Sequence, residues 1–93
     1  MSFLVKLAPE AFNDLERFDI WLTARVPQIA IEVSDLLEEA MGSLSDYPFR
    51  GRPIDASLRE LTVRFGRDGY IIRYEVSESE VMVTRIWHSL EDR

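Results

Sequence analysis

At 93 residues the chain has the size of one small domain with a thin core and no room for a second module. It is 46% hydrophobic and 30% charged with no cysteine and one histidine, which excludes a disordered chain, a disulfide framework, a thiolate nucleophile and a Cys-based or His-rich metal site. The formal net charge of -6 argues against direct, salt-driven binding to nucleic acid.

The charge is unevenly placed. Residues 1–46 carry 3 basic and 9 acidic side chains, and residues 47–93 carry 8 of each. Ten of the basic residues are arginine, whose planar donor fork suits carboxylate or phosphate partners and stacking. Solvated strand faces with local ion pairs are the plain reading of that arginine-rich half. The first residues are too soon interrupted by Pro9 and Glu10 for a secretory leader, and no apolar run approaches the length of a bilayer span. The chain is therefore expected in the cytoplasm, with no metal and no cofactor.

In chain order, Phe3 to Leu7 alternate as a short strand, and Pro9 stands where a proline begins a helix. Ala11, Leu15, Phe18 and Leu22 then recur at helical spacing, with Asn13, Asp14, Glu16, Arg17 and Asp19 mostly on the outer side. Ala8 falls at the N-cap and lacks a capping oxygen, a deficit of roughly 1 kcal/mol that predicts a frayed start. Val26 and Pro27 break the pattern. A second helix follows, with Ala30, Val33, Leu37, Ala40, Met41 and Leu44 inward and Glu32, Asp35, Glu38 and Glu39 outward. The two form a hairpin with an acidic outer surface.

Ser45 to Ser57 (SDYPFRGRPIDAS) is rich in turn formers without an apolar period and reads as a loop. Three β-rich runs come next: LRELTVRF (Leu58 to Phe65), GYIIRYEV (Gly69 to Val76) and EVMVTRIW (Glu80 to Trp87). Residues 66–69 and 77–79 supply the turns of an antiparallel meander. The fold class is α+β, ordered β-α-α-β-β-β, with the helical hairpin packed on one face of a mainly antiparallel sheet. One strand stays ambiguous: Ile72, Tyr74 and Val76 share a face while Ile71 and Arg73 share the other. A partner or the chain's own C-terminal residues would each account for apolar groups on that second face.

The stretches APEAFNDLERFDIWL, YPFRGRP, LRELTV, YIIRYEV and RIWH, in this order and spacing, resemble the RelE/ParE superfamily of bacterial toxin–antitoxin toxins, in its ParE-like (plasmid stabilisation) branch, over the whole chain, residues 1–93. The resemblance implies the toxin component of a type II module, neutralised by a ParD-like or RelB-like antitoxin. It implies inhibition of DNA gyrase by binding. The alternatives are a ribosome-dependent mRNA endonuclease of RelE type and a non-toxic interaction module. By the same resemblance Pro48, Gly51 and Arg52 belong to the turn entering the sheet, Arg59 and Glu60 to the first meander strand, Tyr74 to the second and His88 to the last strand end.

A nuclease needs cations at the phosphate and a group that moves a proton. His88 with Arg64, Arg73 and Arg85 would be that set; its departure from a nuclease is the acidic tail Ser89, Leu90, Glu91 and Asp92. The other role for His88 is packing and hydrogen bonding at a strand end. The expected partner-facing residues are Phe12, Trp21, Arg59, Glu60, Arg73 and Tyr74. Phe12, Ile20, Trp21 and Ile29 lie off the main apolar stripes of their helices, so an antitoxin segment or a second copy of the chain is expected to cover them. The acidic balance departs from the basic or neutral character of the family.

Overall fold

The computed structural model describes residues 2–91, ordered β1 (Leu4–Leu7), α1 (Pro9–Arg25), α2 (Pro27–Ser43), β2 (Arg52–Pro53), β3 (Leu58–Phe65), β4 (Asp68–Val76) and β5 (Glu80–His88). Asp92, the last residue of the acidic tail, and Arg93 after it lie outside the described residues. The expected element order stands with one addition, the two-residue β2 inside the segment read as loop. Asp68, read as turn, belongs to β4, which therefore starts one residue before the run read from Gly69.

The sheet runs β1-β5-β4-β3-β2. β3, β4 and β5 form the antiparallel meander, and β1 joins the outer edge of β5 in parallel, Leu4 opposite Glu80 and Leu7 opposite Val83. A parallel neighbour cannot follow through a tight turn, and the connection from β1 to β5 runs through the helical hairpin and the strands β2, β3 and β4. Gly66, at φ 64° in the first central position of the β3–β4 turn, adopts the left-handed conformation that a two-residue hairpin requires there.

The start of α1 does not hang free. Ala8 makes no side-chain cap, as expected, yet its N–H donates to the Val83 carbonyl at 2.8 Å, so the sheet anchors the entry that sequence alone would fray. Val26 closes α1, donating its N–H to the Leu22 carbonyl at 2.7 Å, and also precedes the Pro27 that opens α2. The hairpin bend is one residue wide.

Helical periodicity on α1 and α2 and alternation on the strands meet in one core. Phe18, Val33, Leu37, Met41 and Leu44 pack with Leu61, Val63, Tyr70, Ile72, Tyr74 and Ile86 on the helix-facing side of the sheet. Each large side chain so buried stabilises the fold by about 1.5–3 kcal/mol. Leu15 and Leu22 are only half-buried against this cluster, because they line the groove between α1 and α2. Asp14, expected outside, is buried.

A bulge at Thr84 sets the rest. β4 pairs Arg73 with Arg85 but Tyr74 with Val83, and the Thr84 hydroxyl donates to the Arg73 carbonyl at 3.2 Å. The extra residue reverses the alternation of β5. Val81 and Val83 face the helices before it; Ile86 and His88 face them after it, opposite Ile72 and Tyr70. Arg85 and Trp87 are thereby turned to the other, open face.

Candidate functional site

Three regions hold the residues that could carry function. On the open face, Glu60 lies directly across from Arg73 and its carboxylate accepts from Arg73 Nε at 3.0 Å and Nη2 at 2.6 Å, with Arg52 Nη2 at 3.4 Å. Trp87 is buried between two guanidinium groups: those of Arg73 and Arg85 each stand 4.9 Å from its ring. Ile71 pairs across from Trp87, which explains the apolar residue on the second face of β4. The indole of β5 stands opposite it. Arg64 is exposed on the same face.

Around this cluster the entry loop is clamped. Tyr74 is wholly buried and its hydroxyl accepts from the Gly51 N–H at 2.9 Å. Burial raises the phenol's pKa, against the opposing pull of the Gly51 bond and of Arg59. Arg59 donates to the carbonyls of Phe49 at 2.9 Å and Gly51 at 2.7 Å and lies over the Phe49 ring at 5.0 Å. Tyr74 offers a partner no surface, so its expected contact role gives way to an internal one. Gly51 is glycine because of close approach and not for a positive φ: a Cβ there would stand 2.6 Å from the Tyr74 hydroxyl.

The last strand end forms the second region. His88 packs edge-on against Tyr70, centroids 5.2 Å apart, and its Nδ1 accepts from the Leu90 N–H at 3.2 Å. With Phe18, Trp21 and Leu22 these residues line a cleft of about 430 Å³, bounded by an ion pair of Arg17 with Glu91. The proposed nuclease set is not brought together. Arg64 and Arg73 lie on the open face, His88 on the helix face with the sheet between them, and Arg85 is held by a carboxylate.

That carboxylate is Asp14, a residue the sequence reading placed outside. It accepts from Arg85 Nε at 2.8 Å and from the Ile86 N–H at 2.8 Å. β1 ends opposite Val83, so beyond it the outer edge of β5 would present an unpaired N–H; one turn into α1, Asp14 satisfies it. Burial pulls this carboxyl upward, but the Arg85 and Ile86 bonds prevail and hold it below its usual value of 3.8. The signal was present in the spacing: position 14 lies three residues after Ala11 and four before Phe18, inside the buried stripe.

The helical hairpin is the third region. Phe12, Ile20 and Trp21 are 64%, 63% and 56% exposed, while Ile29 packs against the core instead. Arg25 covers one side of Trp21 at 4.1 Å. Among the described residues, no group of three or more acidic, His or Cys side chains could hold a metal, and no helix is long and apolar enough to cross a membrane.

Comparison with known proteins agrees with this architecture. Toxin RelE1 of Caulobacter vibrioides is 43% identical over 93 residues, covering all of both chains, and Toxin RelE3 of the same organism is 38% identical over 89 residues, 96% of this chain and 97% of that one. A solved structure of the chromosomal ParDE system from P. aeruginosa superposes with a TM-score of 0.77 at 21% identity, over 94% of this chain and 96% of that one. The RelBE2 toxin–antitoxin complex of Mycobacterium tuberculosis superposes with a TM-score of 0.62 at 24% identity, over 98% and 95%; both share the fold of two helices on a mixed sheet. The family described as the ParE toxin of the type II toxin–antitoxin system parDE matches residues 5–93, and the chain belongs to that family of toxins.

Proposed function

We propose that this toxin acts by binding a protein target, DNA gyrase by family resemblance, and that a cognate antitoxin neutralises it in the cytoplasm. The observation that carries the reading is the separation of His88 from Arg64 and Arg73 by the sheet, together with the engagement of Arg85 by Asp14. General acid–base catalysis requires the proton-transfer group within hydrogen-bond reach of the reacting atoms that the cations bind. Here the imidazole faces Tyr70 and the Leu90 amide. On the open face, Arg73 is held by Glu60 and Trp87.

Induction of the chain without an antitoxin should arrest growth, and the purified protein should inhibit gyrase supercoiling. Normal growth at high expression would remove the toxin reading in favour of a non-toxic interaction module. A second reading rests on the relatives' names, RelE1 and RelE3, and is ribosome-dependent mRNA cleavage. Cleavage of ribosome-bound transcripts that is lost in His88→Ala, with supercoiling unaffected, would decide for it.

A further inference from the structure

Tyr70 and His88 lie directly across from each other on β4 and β5, and both line the cleft of about 430 Å³ between α1 and the last described residues. Each carries a hydrogen-bond donor that the fold leaves unused. Tyr70 is only 4% exposed, and among the described residues its hydroxyl has no hydrogen-bond partner, although a buried phenol ordinarily finds one. His88 Nδ1 accepts from the Leu90 N–H at 3.2 Å, so the neutral ring bears its proton on Nε2. That N–H likewise meets no acceptor among the described residues. Neither atom is sealed from solvent, because among the described residues no fully buried side-chain nitrogen or oxygen lacks a partner. The cleft is the opening that Tyr70 lines, so it is where the hydroxyl reaches water. Burial raises the Tyr70 pKa and the nearby Glu91 charge raises it further, which keeps the phenol protonated, and a donor, at neutral pH.

The walls around these donors are apolar. Phe18 meets the Tyr70 ring edge-on, centroids 5.2 Å apart, and Trp21, Leu22 and Leu90 extend the lining. The charged groups on the lining are Arg17 and Glu91, and they are joined in an ion pair that presents no net charge to the cleft.

We propose that this cleft binds a small uncharged aromatic molecule bearing an acceptor oxygen, its ring against Phe18 and Trp21 and its oxygen held by the Tyr70 hydroxyl and the His88 Nε2–H. Aromatic walls favour a planar ring. Two buried donors favour a ligand with an acceptor, because one without it would take their water and return no hydrogen bond. A charged ligand would lose its hydration against a lining with no net counter-charge. The volume lies within the range of about 300–1,000 Å³ for small-molecule sites and suits two fused rings. The Arg17–Glu91 pair joins α1 to the tail beside the cleft, so a compact ligand fits where a through-running chain would have to part the pair.

The test uses the full-length chain, isotope-labelled for NMR, with one indole N–H on the cleft, Trp21, and one on the opposite face of the sheet, Trp87. The probes are coumarin, a coumarin carboxylate, and octahydrocoumarin, which keeps the carbonyl and loses the aromatic ring. Coumarin should shift the Trp21 signal saturably, leave that of Trp87 in place, and bind at least about fivefold tighter than either comparator. Tyr70→Phe removes a hydroxyl without an internal partner, so the thermal midpoint should hold while coumarin binds about fivefold more weakly. Trp21→Ala, at an exposed residue, leaves the core intact and should weaken coumarin at least as much, read from the Tyr70 amide. The absence of a saturable shift up to the solubility of coumarin, equal binding of the three probes, or undiminished binding in either variant overturns the proposal.

Discussion

The helical hairpin and the meander use their charges in opposite ways. On the sheet, Arg52 and Arg73 close on Glu60, Arg85 closes on Asp14, and Arg59 clamps the loop through two carbonyls. On α2, Glu32, Asp35, Glu38 and Glu39 form no ion pair among the described residues. The apolar surface follows the same division, since Ile71 and Trp87 are sheltered within the open face while Phe12, Ile20 and Trp21 stand exposed on α1. The cluster around Glu60 and Trp87 is satisfied within the sheet and its entry strand. The hairpin leaves both charge and apolar area available to a partner, which is how a small domain can hold its fold with one half and bind with the other.

Substitutions can break or sharpen this contrast, and the largest effect should come where the halves meet. Leu37 is 1% exposed at the centre of the core, so Leu37→Ala should cost about 2–5 kcal/mol. Thermal denaturation should show a midpoint lower by about 10 °C or more. An unchanged midpoint would mean the hairpin does not depend on the sheet.

Among the described residues, Asp14 is the one helical acid whose carboxylate bonds to the sheet. Asp14→Ala should cost about 2–3 kcal/mol, because it leaves the Ile86 N–H and the part-exposed Arg85 without their acceptor. The pH dependence has a definite sign. With its folded pKa below 3.8, the carboxyl contributes stability that is full above that ordinary value and is lost as pH falls through the lower folded one. Acid denaturation followed by circular dichroism should therefore be less steep in Asp14→Asn than in the parent, and equal steepness would refute the assignment.

Gly51→Ala should cost about 1–3 kcal/mol by forcing a Cβ towards the Tyr74 hydroxyl. Combining it with Tyr74→Phe should give less than the sum of the single losses, since both act on one contact. Strict additivity in denaturant titrations would show that Gly51 is required for another reason. The smallest effect belongs to the outer acids of α2: Glu32→Gln with Glu39→Gln should change stability by no more than about 0.5 kcal/mol. A large loss there would erase the distinction between the halves.

Local pattern alone determined a good deal of this protein. Periodicity places both helices, Pro9 and Pro27 mark their starts, and alternation with short polar links gives the meander, because these signals depend on residues close in the chain. The same reading found Phe12 and Trp21 off the buried stripes. Other features depend on pairings between distant segments. Only the tertiary structure puts β1 beside β5, and that choice exposes the Ile86 N–H and draws Asp14 inward from a helix face that looks polar. Only the approach of β4 to the loop makes Gly51 necessary. The bulge at Thr84 has the greatest consequence: without it strict alternation would carry His88 to the face of Arg64 and Arg73, and with it the histidine turns to Tyr70. A single extra residue in a strand is invisible to period-two patterning, because its position is fixed by the hydrogen-bond register with a neighbour and not by the strand's own sequence.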